Sequence, residues 1–116
     1  MADSDSDSKL DVSKLVQDVL AQMKPVIGAE WDKVQGYARS EAEKLGITLV
    51  KIQVEKRKGA ISEDQAKILL DMQKNASLAV LAAVHGIGEL AAAKALTAAL
   101  GALKEPINKA IGFDLL

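Results

Sequence analysis

The sequence predicts an all-α protein, a long antiparallel helical hairpin or small helix bundle behind a disordered acidic N-terminal tail. Three observations predict it. Apolar residues recur at gaps of three and four over most of the chain, which is the spacing of one helical face. A capping box, Ser62 with Gln65, marks a helix start in "ISEDQA". Aromatic residues make up only 3% of the 116 residues, so Leu, Ile, Val and Ala must fill the core, which suits close helix packing.

The tail comes first. "MADSDSDS", residues 1–8, alternates Asp and Ser and has no apolar run, so it reads as a solvated segment rather than a signal peptide. With no targeting segment in view, a cytoplasmic location is the default expectation. Residues 9–116 are expected to form a single helical domain, given the length. Net charge is −1, which gives no global attraction to nucleic acid. There is no cysteine, which removes disulfide and thiolate chemistry.

The first helix is expected over about 9–24, with Ser8 as N-cap and Asp11 in the first turn. Its apolar positions are Leu10, Val12, Leu15, Val16, Val19, Leu20 and Met23. Pro25 should end or kink it, because the residue before proline is pushed out of the α region. A second helix is expected over about 26–57, with the stripe Ile27, Trp31, Val34, Ala38, Ala42, Leu45, Leu49 and Ile52. Trp31 and Tyr37, with Val34, read as core anchors.

Residues 47–54 are ambiguous. Val50, Ile52 and Val54 alternate with polar residues as in a strand, and Gly46 could cap a helix before them. No second strand is present to pair with this one, and the helical stripe continues through Leu45, Leu49 and Ile52, so helix is preferred. Gly59 breaks the pattern. From Ser62 a helix is expected to about 104, bent at Gly86 and Gly88, with a length of about 64 Å if straight. Glu105-Pro106 should break it, leaving a short helix over 106–111 with Gly112 as its stop.

The stretch from Ala76 to Leu103 carries only Glu89 and Lys94 as formal charges. A membrane span is disfavoured, because each central charge costs about 2.5–3.5 kcal/mol on the insertion scale and no aromatic belt flanks the segment. Gly86, Gly88 and Ala91 match G-x-G-x-x-A, but that motif acts only inside a βαβ unit, and no second strand is present. Packing against another helix is the remaining reading. Small residues recur every four at Ala91, Ala95 and Ala99, which lets a second backbone approach closely.

The expected function is therefore non-enzymatic: a structural or assembly protein that forms a homo-oligomer through the Ala-rich helix. The interface set is Ala83, Ile87, Leu90, Ala91, Ala95, Leu96, Ala99, Leu100 and Leu103. The alternative is a membrane-surface or lipid-binding amphipathic helical protein that inserts conditionally. His85 and Glu89, one turn apart, form a candidate polar pair on that helix. Two ligands do not make a metal site, and no cysteine or second histidine is present, so no metal is expected. No catalytic residues, cofactor, nucleic-acid partner or small-molecule substrate are expected either. The sequence shows no nucleophile-elbow, Walker or zincin motif. The small basic cluster Glu55 to Lys58 reads as a solvated turn rather than a nucleic-acid surface.

Overall fold

The computed structural model describes residues 9–84 and 87–116. Among these residues it is an all-α bundle of four helices: α1 (Val12–Ile27), α2 (Trp31–Arg57), α3 (Glu63–Ala83) and α4 (Gly88–Ile111), with a 3-10 turn (Gly28–Glu30) between α1 and α2. The acidic tail 1–8 and Ser8 as its N-cap lie outside the described residues.

Each helix packs on the next, and α4 returns to pack on α1, closing a ring around one core; the diagonal pair α2 and α4 barely touch. The longest dimension is 45 Å. The core is aliphatic. Leu15, Val16, Val19, Met23 and Ile27 come from α1, and Val34, Ala38, Ala42, Leu45, Leu49 and Ile52 from α2. From α3 come Ala66, Leu70 and Leu81, and from α4 Ala92, Ala95, Leu96, Ala99, Leu100, Leu103, Ile107 and Ile111. The two stripes expected for the first half of the chain are thus the buried faces of α1 and α2, Trp31 standing half-buried at the edge. Tyr37 is not a core anchor: it is 55% exposed.

Residues 47–54 are helical throughout. The β-like alternation marks no sheet face: Ile52 is buried, Val50 packs half-buried against the core and Val54 faces outward. Gly46 caps nothing. It sits mid-helix where α1 crosses, and a Cβ there would lie 3.3 Å from the Val12 side chain and 3.7 Å from Leu15 Cβ, so glycine permits the close α1–α2 approach.

Both prolines depart from expectation in the same way. Pro25 lies inside α1 and Pro106 inside α4. A proline in a helix frees the carbonyl four residues earlier. Pro25 with Ala21, and Pro106 with Ala102, all lie on exposed positions, where a freed carbonyl is not sealed from solvent, and the helices run on. Consequently α1 reaches Ile27 rather than ending near residue 24, and α4 absorbs the short helix expected at 106–111.

Glycine ends the helices instead. Gly28, Gly59 and Gly112 follow α1, α2 and α4 with positive φ, and Gly88 opens α4 at φ 77. At the end of α2, the Gly59 N–H donates to Lys56 O at 3.0 Å and the Ala60 N–H to Glu55 O at 2.9 Å. This is a Schellman closure. Three residues later the expected capping box is in place: Gln65 N–H donates to Ser62 Oγ at 3.1 Å and Ser62 N–H to Gln65 Oε1 at 2.8 Å. At the front of the chain, Asp11 acts as the N-cap of α1, accepting from Ser13 N–H at 2.9 Å.

The helix expected over 62–104 is two helices. Val84 is extended, with φ −68 and ψ 129, and helical structure resumes only at Gly88. The connection "VHGIG" places two glycines where a helix loses about 1 kcal/mol per glycine relative to alanine. Folding α4 back buries one apolar face of each half in one chain, which a straight rod would leave open.

Candidate functional site

The break between α3 and α4 changes what the Ala-rich region presents. Of the nine residues expected at an interface, Ala95, Leu96, Ala99, Leu100 and Leu103 are buried inside the bundle, and Ile87 with them; Ala91 is half-buried. Their cover comes from α1 and α3 of the same chain. Ala83 and Leu90 do face outward, Leu90 at 70% exposure. Of the polar pair, Glu89 is exposed and His85 lies outside the described residues.

A different surface takes the place of the buried one. On α3, Ile68, Met72, Ala76, Ala79 and Ala83 are all exposed, and their gaps of 4, 4, 3 and 4 put them on one stripe directed away from the core. Ile68 is 59% exposed and Met72 63%. The stripe extends about 22 Å along the helix. The core-facing stripe of the same helix is Ala66, Leu70, Ser77 and Leu81, so α3 is apolar on two faces. Beside the C-terminal end of the outward stripe, Val80, Ala83 and Val84 line a shallow depression with Tyr37 and Lys33 of α2. Single exposed apolar residues are ordinary on a protein surface; a continuous row of five is the unusual observation. The 4-4-3-4 spacing of this row was present in the sequence, but assigning the segment to one long rod left no way to tell which of its two faces the chain itself would cover.

Two buried polar arrangements fix the helices that carry this surface. Glu41 of α2 is 2% exposed and faces α3. Its Oε1 accepts from Ser77 Oγ at 2.9 Å, and its Oε2 accepts from Lys44 Nζ at 3.1 Å. Ser77 Oγ in turn accepts from Gln73 Nε2 at 3.0 Å. A serine beside a carboxylate invites comparison with a catalytic pair. Here the serine is fully buried, and its hydroxyl already donates to one partner and accepts from another, which describes a structural lock. The second arrangement is Gln53 of α2, also 2% exposed. Its Oε1 accepts from Leu10 N–H at 2.8 Å and its Nε2 donates to Ala110 O at 3.1 Å, so one side chain joins the start of α1 to the last turn of α4.

Among the described residues, no group of three or more His, Asp or Glu side chains converges as a metal site. No helix among them is long and apolar enough to cross a membrane. At the hairpin turn, Lys56 Nζ stands 5.6 Å from the centre of the Phe113 ring, so part of the basic cluster is engaged with the C-terminal segment. No family model, curated protein or solved structure matches the chain.

Proposed function

We propose that this protein is a non-enzymatic assembly component that self-associates through the outward stripe of α3. The observation that carries this reading is the row Ile68, Met72, Ala76, Ala79 and Ala83, apolar, exposed and continuous. Small side chains along most of the row allow a second helix backbone to approach closely, as a helix-to-helix contact needs. Met72 adds a flexible apolar side chain that adapts to a partner surface. The stripe replaces the surface at Ala95, Leu96, Ala99, Leu100 and Leu103, which the bundle uses for its own core.

The test is mass in solution by light scattering after size exclusion, without detergent. A discrete multiple of 12.3 kDa supports the reading. Met72→Glu with Ala79→Glu should reduce the mass to one chain while leaving the helical circular dichroism unchanged, because both side chains are exposed. A monomer at high micromolar concentration refutes self-association. If that monomer floats with liposomes, the same stripe serves a lipid surface instead. Ala95→Glu and Ala99→Glu do not discriminate, since a charge at either fully buried position unfolds the bundle.

A further inference from the structure

The opposite flank of α3 offers a different kind of site. Between α3 and α4 runs a cavity of about 320 Å³. Its floor is Leu78, Ala93, Leu96, Leu100 and Leu116, and its rim holds Lys74, Asn75, Thr97 and Lys104. The volume lies at the lower end of the roughly 300–1,000 Å³ typical of small-molecule sites, too small for a partner helix. No carboxylate side chain lines it, whereas two ammonium groups do. Lys74 has one weak partner, Asp71 at 3.8 Å, itself largely exposed. Lys74 stands midway along α3 and Lys104 in the second half of α4, and both line the groove. Gly101 also lines the groove, a mid-helix glycine with no atom within 4 Å of where its Cβ would be. A glycine there costs helix stability and fills no packing need.

We infer that this groove binds a medium-chain alkyl carboxylate, its chain along Leu78, Leu96 and Leu100 and its head group between Lys74 and Lys104. The apolar floor selects a hydrocarbon chain, the two lysines of the rim select an anion, and Asn75 and Thr97 supply hydrogen-bond donors beside it. The site does not depend on self-association, because it lies on the flank of α3 away from the outward stripe.

The probe is decanoate, titrated calorimetrically into the full chain below its micelle concentration. Saturable binding of one molecule per chain is expected, with a Kd of order 10–100 μM for a ligand of this size. Gly101→Leu fills the floor at a position where the added side chain meets open space, so it should abolish binding while retaining or improving thermal stability. Lys74→Glu with Lys104→Glu should weaken binding about tenfold at low salt, and less at high salt. Decyltrimethylammonium, with the same chain and opposite charge, should bind at least about tenfold more weakly than decanoate. Absence of decanoate binding up to about 1 mM overturns the inference. Equal affinity for the cationic probe, or an unchanged affinity in the folded Gly101→Leu variant, overturns it as well.

Discussion

Replacing Gln53 by leucine tests how the bundle is tied together. Leucine is close in size and suits a buried helical position, so packing is little changed. The substitution removes, among its interactions, two hydrogen bonds whose partners are main-chain groups: the Leu10 N–H, at 2.8 Å, and the Ala110 carbonyl, at 3.1 Å. Those groups cannot be mutated away, so both remain after the substitution. Each unpaired group costs about 1–3 kcal/mol when water cannot replace its partner. Leu10 and Ala110 are half-buried, which places each near the lower part of that range. The expected loss is about 2–4 kcal/mol, against a total stability of about 5–15 kcal/mol for a domain of this kind. Urea unfolding followed by circular dichroism measures it, with the midpoint moving and the slope unchanged. Hydrogen exchange supplies the local readout: the Leu10 amide should lose protection in Gln53→Leu by more than the global change accounts for. A loss below about 0.5 kcal/mol, or an unchanged Leu10 amide, would refute the argument that this side chain clasps α1 to α4.

Four further substitutions probe other features of the bundle. Ser77→Ala leaves one oxygen of the buried Glu41 carboxylate without its donor and should cost about 1.5–3 kcal/mol; in a double-mutant cycle with Glu41→Gln the two effects should fall well short of additive by chemical denaturation. Gly36→Ala places a methyl where nothing lies within 4 Å and should raise stability by about 0.5–1 kcal/mol, seen as a higher melting temperature. Gly46→Leu, by contrast, forces α1 away from α2 and should cost at least about 1–3 kcal/mol, because the Cβ alone already meets Val12 at 3.3 Å. Ser62→Ala removes the cap of α3 and should cost about 1 kcal/mol, read by the same denaturation.

Local signals in the sequence were read well where they depend only on neighbours a few residues apart. The Ser62 and Gln65 box, the glycine closures at Gly59 and Gly112, and the apolar stripes of α1 and α2 all appear in the structure as the spacing implies. The effect of proline is not legible in the sequence because it depends on which way the freed carbonyl points, and the exposure of Ala21 and Ala102 is a property of the assembled bundle. The separation of α3 from α4 is hidden in the sequence for a related reason. Glycine lowers the cost of breaking a helix, but the gain that drives the break is long-range burial of Leu96, Leu100 and Leu103 against other helices. From that one error followed the misplacement of the interface set, since a straight rod exposes residues that a folded hairpin covers. Polar residues with distant partners, Gln53 and Glu41, carried no signal at all. In a single sequence they resemble any surface glutamine or glutamate, and 57 positions separate Gln53 from Ala110.

The closing of the ring by α1 and α4 has a kinetic consequence. Three of the four seams, α1–α2, α2–α3 and α3–α4, join neighbours along the chain and form with little loop-closure entropy. The fourth brings the first helix to the last, so its contacts are by far the most distant in sequence. Helical proteins dominated by local contacts fold quickly, and the one seam that must span the chain is the natural late step. Stabilising substitutions at that seam, near Leu15, Leu103 and Ile107, should therefore slow unfolding while leaving the folding rate almost unchanged. For this bundle, the α1–α4 seam is the place to build resistance to unfolding, and the hairpins on either side of α2 and α3 are where its folding speed is set.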